Sequence, residues 1–595
     1  MNIIIFDFEV FKYDTLLGCL IISEKQEIKQ FWSLEEIKQF YIEHSEDIWI
    51  GHNNYSYDNV ILTEIMNGRN PKIVNDDIIK RNIRRHYSIP KYTYDIMANS
   101  YKPFSLKMTE LLTGNSIHIS EIDFDIDRCL TEEEKQLVEK YNADDLKQTF
   151  LNFEKMFDLF KLRLDIISEF NLPLTNLSVT GTKLAANVLK SYHDDSLEFL
   201  KIDAKLYDNL ILENEDLKKF YLEEKFRTTE KLKIYVGNAE IQVGSGGIHS
   251  AIKKYHSKKC MYFDVSGYYN LIMINNDLLP RTMNEESKQK YVYMYHEQLR
   301  LKKVNPVKRG LYKTILLSVF GAMMNKYTDF YDPWKGLLVT ITGQLYLVDL
   351  LEKLKDLVLI VQTNTDGIIV EPFNWEDEPK VISIVEEWEK RTGFVIKKEH
   401  VYNLWQRDVN CYFCFDENNK VIYKGEAVKN YDISDSSFAN GNLFGCKEPP
   451  VIAQGIINKL LFNIEPEDFV NNNKEDLILF QYICRKNTYD YLTYDTNLNN
   501  VQASTKIADI ARCFALKPEF GINMIYKHKF SKGKENIAKV SNLPESVFVY
   551  NDNLDDMTNE NKYKIDYNYY VNRIKERILE FLNIKQIKEI NIYDE

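Results

Sequence analysis

The sequence predicts a multidomain chain of mixed α/β and α+β class, and three observations carry this. At 595 residues it is too long for one hydrophobic core, and length alone suggests roughly three to five domains. Hydrophobic residues make up 44% and aromatics 13%, enough for large cores and too much for a disordered chain. Strand-like runs such as Asn2–Val10 and Met261–Val265 occur with helical patterns such as Leu130–Phe150 and Glu285–Lys303, so both periodicities are present.

Composition also limits function. Acids outnumber bases, 89 to 76, for a net charge of −13. That counts against a phosphate-rich partner, which wants Lys and Arg, unless binding uses local patches. Such patches occur at Lys253, Lys254, Lys258 and Lys259, at Lys302, Lys303, Lys308 and Arg309, and at Lys527, Lys529, Lys532 and Lys534. Eight scattered cysteines imply no disulfide framework. Cys411 and Cys414 lack a second pair at zinc spacing and read as buried thiols in a strand. The N-terminus has no basic stretch before its first acids, which argues against a signal peptide. The longest apolar run, Leu337 to Leu351, is too short and too polar to span a membrane. A reducing, cytoplasmic location is expected.

The first 150 residues gather acids. Asn2 to Val10 reads as a strand in which Asp7 and Glu9 leave the same face. By itself this pair fits an edge strand with a solvated acidic face. Asp58 follows the polar turn Gly51-His-Asn-Asn-Tyr-Ser-Tyr and opens an apolar segment. Leu130 to Phe150 reads as a helix with acids in its first turn, and Tyr141 and Asp145 share one of its faces. DxE on a first strand, then Asn-x-x-Tyr-Asp, then Tyr-x-x-x-Asp on a helix resembles the DEDD family of 3′–5′ exonucleases, in its tyrosine variant. The resemblance implies a ribonuclease H-like domain in which Asp7, Glu9, Asp58 and Asp145 hold two metal ions and Tyr141 orients the attacking water. Asn54, with Asn53 as the one-residue alternative, would contact the single-stranded 3′ DNA end. Asp144 neighbours Asp145, but the tyrosine spacing favours Asp145. Ser105-Leu106 falls where related polymerases have a Ser/Thr-Leu pair touching single-stranded DNA.

Further on, Met261 to Val265 reads as a strand delivering Asp264, and two apolar runs flank the turn Asn364-Thr-Asp-Gly367, which carries Asp366. Two strands that each bring a carboxylate to one sheet edge could hold two divalent metals about 3.5–4 Å apart. Between them, Glu285–Lys303 and Lys308–Asn325 read as a helical hairpin, with Pro306 ending the first helix. Counting from the turn sets Arg300 beside Lys313, a cation pair suited to a triphosphate. Asp264-Val-Ser-Gly-Tyr-Tyr resembles the first polymerase motif of family B DNA polymerases, Lys313 to Gly321 the second, and Asn364-Thr-Asp-Gly367 the third. Gly267 replaces a Ser, Asn270 a Pro, Leu317 an Asn, Phe320 a Tyr and Asn364 an Asp. The glycine cluster Val243–Ser250, with Gly246 and Gly247, resembles the Tyr-x-Gly-Gly motif without its tyrosine.

The resemblance implies an exonuclease followed by a right-hand polymerase of palm, fingers and thumb. Asp264 and Asp366 would be metal ligands, with two Mg²⁺ or Mn²⁺ ions per active site. Tyr269 would sit under the sugar and exclude a 2′-OH. Arg300, Lys313, Phe320 and Gly321 would line the nucleotide site. Tyr412 and Lys424 would face the primer, and Gly246 and Gly247 the template. The expected division is 1–155 exonuclease, 156–255 connector, 256–283 and 329–430 palm, 284–328 fingers, and 431–595 thumb and C-terminal region. In the connector, helices are expected at Thr180–Ser191 and Asn209–Lys233. In the last region Leu477–Arg485 is a buried helix or strand, Tyr526–Lys534 a basic segment touching duplex phosphates, and Tyr567–Leu582 an amphipathic helix.

The expected activity is template-directed DNA synthesis with proofreading in phage replication, in the bacterial host cytoplasm. Primer-template DNA and dNTPs are the partners, with replisome accessory proteins compatible; a monomer with no membrane contact is expected. The alternative is an exonuclease whose polymerase-like half only binds DNA. The intervals Asp264–Lys313 and Gly321–Asp366 span only 49 and 45 residues. They leave little room for the extra segments of the protein-primed phage branch, so nucleic-acid primers are expected.

Overall fold

The computed structural model describes all residues except 23–25, 118–119, 121, 245, 499–500 and 587–595. Ser245 of the glycine cluster and the end of the 431–595 region therefore lie outside the described residues. Contacts divide the chain into two units of mixed helix and strand. One comprises residues 1–180, 430–455 and 465–574; the other comprises 181–429, 456–464 and the described residues from Lys575 on.

The first unit opens with β1 (Ile3–Val10), β2 (Thr15–Ile22), β3 (Glu27–Phe31), β4 (Ile48–Gly51) and β5 (Tyr92–Asp95), in the order β3-β2-β1-β4-β5. β2 is antiparallel to both its neighbours, while β4 runs parallel to β1 and β5. β1 is central and covered on both faces, so Ile4, Ile5, Phe6 and Phe8 are all buried, and a near-continuous apolar run replaces simple alternation. Three helices bear on this sheet's chemistry: α1 (Asp58–Met66), α2 (Leu106–Leu112) and α3 (Glu132–Lys155). Thr131 and Glu134 form a reciprocal capping box that fixes the start of α3.

In the second unit a seven-stranded antiparallel sheet is built from β6 (Ser250–Ala251), β7 (Tyr255–Val265), β8 (Val358–Thr363), β9 (Gly367–Pro372), β10 (Ile396–Asp408), β11 (Cys411–Phe415) and β12 (Val421–Lys424). Its order is β12-β11-β10-β7-β9-β8-β6. Cys411 and Cys414 are buried free thiols in β11. Helices α4 (Tyr268–Asn275), α5 (Glu285–Arg300), α6 (Pro306–Ala322) and α7 (Pro333–Leu354) lie between β7 and β8 in the chain. The apolar run Leu337–Leu351 belongs to α7, most of whose residues are buried. Among the described residues no helix is long and apolar enough to cross a membrane.

Two helix boundaries differ from the sequence expectation. Pro306 does not end the first hairpin helix, which stops at Arg300; it occupies the first turn of α6, where its missing N–H costs nothing, and Asn305 caps that helix. The helix expected over Asn209–Lys233 is confined to Glu215–Leu222, because Glu224 takes a left-handed conformation and Leu232–Val236 is a strand. The helix expected over Thr180–Ser191 spans Gly181–Leu189.

The rest of the first unit carries two further antiparallel sheets. Three strands, β13 (Tyr482–Arg485), β16 (Ile510–Ala515) and β19 (Val547–Val549), pair in the order β13-β16-β19. Four others, β14 (Tyr491–Leu498), β15 (Val501–Ile507), β17 (Met524–Ser531) and β18 (Lys534–Lys539), pair as β15-β14-β17-β18. Leu477–Phe480 is a short 3₁₀ turn leading into β13. Arg512, on β16, is fully buried. Its guanidinium donates to Gln481 Oε1 at 2.9 Å, to the carbonyl of Asp552 at 2.7 Å, and to the carbonyls of Leu111 and Asn115 at 3.3 and 2.9 Å.

Candidate active sites

In the first unit, Asp7 and Glu9 project from one face of β1, and α3 brings Asp145 against them. Ligand oxygens of these three residues all lie within 4.8 Å of one another. Asp58 opens α1, and its Oδ1 accepts the Phe8 amide at 3.0 Å, which holds it against the middle of β1. Asn142, on the turn of α3 that precedes Asp145, donates to Asp7 Oδ2 at 3.1 Å.

Burial, then the charge of Asp145, pushes the Asp7 carboxyl up to about 7. Glu9 is raised well above the usual range by burial and then by Asp7 and Asp145. Asp58 is likewise raised, by burial and then Asp7. Four acids crowded this way repel one another unless a cation joins them. An all-oxygen, all-carboxylate donor set fits hard divalent ions such as Mg²⁺ or Mn²⁺. The Tyr141 hydroxyl is raised by burial and by Asp145, Glu9 and Asp7, so it stays a hydrogen-bond donor.

One cation is already present. Lys107 Nζ lies 2.6 Å from Asp145 Oδ1, 3.1 Å from Glu110 Oε1 and 4.7 Å from the centre of the Tyr141 ring. Burial lowers its pKa, but Asp145 and Glu110 outweigh that and the net shift is upward. No local pattern marks Lys107 or Asn142 in the sequence, because the acids they serve are on other elements. Ser105 of the Ser-Leu pair is the N-cap of α2, accepting the Met108 amide at 3.3 Å.

Asn54 lies inside the turn that precedes α1. Its side chain is fully buried, and its amide nitrogen donates to Asn59 Oδ1 at 3.1 Å and Thr93 Oγ1 at 2.9 Å. Its amide nitrogen braces the turn, while its Oδ1 is buried without a protein partner among the described residues. Asn53 is partly exposed, with a φ of 66°, and its backbone amide donates to Asp95 Oδ1 at 3.1 Å. Asp95 also accepts the Tyr55 amide, at 3.1 Å, so it is the clamp of this loop.

These acids make stability depend on pH. Asp7 binds its proton more tightly folded than unfolded, so the metal-free fold loses stability as pH rises from 3.8 through about 7. The melting temperature in EDTA should fall across that window, Asp7→Asn should flatten the fall, and Mg²⁺ or Mn²⁺ should reverse it near neutrality. A melting temperature in chelator that rises with pH across the window would contradict the cluster.

In the second unit, β7 and β9 are adjacent and antiparallel, and Asp264 stands opposite Gly367. The Val265 amide donates to the carbonyl of Asp366 at 2.8 Å, so both acids belong to one end of the strand pair. Burial first, and then Asp366, raises the Asp264 carboxyl. The Tyr262 hydroxyl donates to Asp264 Oδ1 at 3.3 Å. A Cβ at Gly367 would come 2.9 Å from the Phe263 carbonyl, so glycine permits this close strand approach. The Asn364 amide donates to the Gly367 carbonyl at 2.7 Å and closes the turn. Its side-chain oxygen is buried without a protein partner among the described residues. A carboxylate there would carry a desolvation cost that the neutral amide avoids.

Tyr269, on α4, stacks on Phe320, on α6, with ring centroids 4.1 Å apart and planes 18° apart. Burial, then Asp366, raises the Tyr269 hydroxyl to about 12. Tyr412 is buried in β11 opposite Lys424, and burial followed by Cys414, Asp264 and Asp366 raises its hydroxyl. Lys424 is exposed. Gly246 is open, whereas a Cβ at Gly247 would sit 3.0 Å from Thr365 Oγ1, which sets the glycine loop against the turn carrying Asp366.

Gly267 has a φ of 63°, and a Cβ there would lie 2.9 Å from the Tyr295 ring. Gly267→Ala should therefore cost on the order of 1–3 kcal/mol in chemical denaturation; an unchanged midpoint would contradict the left-handed start of α4. Asn270 Oδ1 accepts the Tyr291 hydroxyl at 2.9 Å, linking α4 to α5. Leu317 is 57% exposed, so it fills no core position.

Arg300 and Lys313 are not side by side. The short connection between Arg300 and Pro306 sets the register of α5 against α6, with the Tyr291 hydroxyl oxygen 3.3 Å from the Leu316 carbonyl. In that register Arg300 is level with about Val307, roughly 9 Å along the axis from Lys313. Arg300 is exposed and its Nε donates to Glu297 Oε2 at 2.9 Å. Lys313 is exposed on α6, as is Gly321, whose Cβ position is open.

No known protein-family profile matches the chain, and no curated protein matches it. Among solved structures it is similar to the family B DNA polymerase from the hyperthermophilic archaeon Pyrobaculum calidifontis. That match has 12% sequence identity and a TM-score of 0.40, covering 98% of this chain and 78% of the other.

Proposed function

We propose that the chain is a template-directed DNA polymerase of family B type with a 3′–5′ proofreading exonuclease, serving phage replication. The observation that carries the reading is the pairing of Asp264 with the Asp366 turn at one end of β7 and β9. The strand order β3-β2-β1-β4-β5, with Asp7 and Glu9 on its central strand, supports the ribonuclease H-like assignment of the amino-terminal region.

Asp264 and Asp366 would hold the metal ions of synthesis, and Asp7, Glu9, Asp58 and Asp145 those of hydrolysis. When bound, such ions lower the pKa of the attacking oxygen and neutralise the leaving one. The protein's own groups orient the reactants. The Tyr269 ring, held flat by Phe320, presents a rigid floor to the nucleotide sugar and leaves no room for a 2′-OH. Lys313 offers its ammonium to the triphosphate, with Gly321 keeping that face of α6 open. Arg300 assists only if the hairpin tip moves. Tyr412 and Lys424 would meet the primer strand, and Gly246 and Gly247 the template. In the other site, the protonated Tyr141 hydroxyl would donate to the attacking water, and Lys107 would hold Asp145 in place. The divisions into palm, fingers, thumb and connector given above belong to this proposal.

Primer extension with and without dNTPs tests it: elongation with them and shortening without them are expected. No elongation under any Mg²⁺ or Mn²⁺ condition, even in Asp7→Ala, would overturn the polymerase reading. It would favour a DNA exonuclease whose other half only binds DNA, a reading that the neutral Asn364 supports. Priming should require a nucleic-acid 3′ end; extension from a protein hydroxyl without an oligonucleotide would refute this.

A further inference from the structure

We propose that a cavity of about 340 Å³ in the first unit binds a small organic carboxylate, with its apolar body enclosed and its acid group on Arg485. The walls come from three parts of the chain, all within that unit: α2 with the end of α3, the loop 430–450, and the 3₁₀ turn with β13. None of the acids of either candidate active site lines it, so the proposal does not rest on the proposed function.

The lining is mostly apolar. Met108, Phe438, Leu443 and Tyr482 are buried. Leu112, Leu151, Ile433, Ile478 and Ile483 are only half-buried, so each keeps apolar surface open to solvent. Water against such walls finds few hydrogen-bond partners, and an apolar body that displaces it gains the burial. The volume falls at the small end of the range for organic ligand sites, roughly 300–1,000 Å³.

The loop is fastened in a shape that keeps the space open. Gly441 and Gly445 have φ values of 69° and 74°, a left-handed conformation that side chains with a Cβ rarely adopt, and they turn the chain on either side of Asn442–Phe444. The Asn430 side-chain amide donates to the Glu448 carbonyl at 2.9 Å and ties the two ends of the loop together. Near its start, Asp432 Oδ2 accepts the Ser434 and Ser437 hydroxyls, each at 2.9 Å. A wall held this way resists collapse, so the cavity is formed before anything binds and little ordering cost remains.

Charge favours an anion. Lys155, Lys447 and Arg485 line the cavity against Asp435 and Glu448, three cations to two acids within a chain of net charge −13. Both acids are engaged: Asp435 pairs with Lys155, and Glu448 Oε1 accepts Arg573 Nε at 2.6 Å. Arg485 is exposed at the end of β13. Its guanidinium has no hydrogen bond or ion pair among the described residues, and it lies 4.0 Å from the Cβ position of Gly445. An exposed arginine by itself signifies little. This one borders an apolar space, and its planar fork matches the two oxygens of a carboxylate.

The test is isothermal titration calorimetry of the full chain with naphthoate and with its neutral isostere naphthamide. Naphthoate should bind saturably at one site per chain, about fivefold tighter than the amide. Arg485→Gln should bring the two to equal affinity, and high salt should narrow their difference in the wild type. Ile483→Trp fills the space from β13 and Leu112→Trp fills it from α2; each should abolish binding of both compounds. Circular dichroism melts check that the variants fold, and the second tryptophan stands if the first does not. Heats that never saturate, or binding that survives a folded tryptophan variant, would overturn the cavity as the site. Equal affinity for acid and amide in the wild type, or a preference that outlasts Arg485→Gln, would overturn the carboxylate.

Discussion

Asp264→Asn is expected to reduce primer extension at least a thousandfold, equivalent to about 4 kcal/mol of lost transition-state stabilisation, while 3′-end hydrolysis continues at the wild-type rate. The substitution is nearly isosteric. Asparagine keeps an oxygen for the Tyr262 hydroxyl, which reaches Asp264 Oδ1 at 3.3 Å. It also removes the repulsion from Asp366 that helps raise the Asp264 carboxyl. The fold should therefore be as stable as wild type or slightly more so, and the loss should come from the missing charge at the ion-holding position. A radiolabelled primer run with and without dNTPs reads both activities in one gel. Extension within tenfold of wild type would remove Asp264 from the chemistry.

Asp145→Asn should have the mirror effect: hydrolysis at least a thousandfold slower, with extension preserved and full-length product accumulating. Asp145 is one of three residues whose ligand oxygens lie within 4.8 Å of one another, and its loss breaks that set. Lys107 loses its 2.6 Å ion pair but keeps Glu110 at 3.1 Å, so α2 should remain in place. Asp7 should also titrate lower, since Asp145 is the second cause of its upward shift. If 3′ ends are removed at the wild-type rate, the cluster is not the hydrolytic site.

These residues differ in how legible they are. Asp7, Glu9, Asp264 and Asp366 stand out because each acid interrupts or ends a strongly apolar strand, a pattern that short-range periodicity exposes. The helix bearing Tyr141 and Asp145 is legible for the same reason. Lys107 is not, because its meaning depends on Asp145, 38 positions away on another helix. The offset between Arg300 and Lys313 is hidden because counting from a turn assumes where the helices stop and start, and Pro306 begins α6. The hairpin at Tyr526–Lys534 is obscured by its lysines: Tyr526, His528 and Phe530 fall on one face and Ile525, Lys527 and Lys529 on the other, so neither reads as a plain apolar face. Asn54 matches a motif position, yet whether its amide turns outward or inward depends on Thr93, on a different strand.

The buried guanidinium of Arg512 bears on how this protein can be cut. It sits on a strand late in the chain, yet it satisfies two carbonyls, of Leu111 and Asn115, that belong to the amino-terminal region. Deleting everything beyond residue 430 would strand those acceptors and expose the apolar surface around α2. The amino-terminal region is thus not a detachable cassette: expressed alone it should be aggregation-prone, and moving it to another protein would require carrying the distal strands with it.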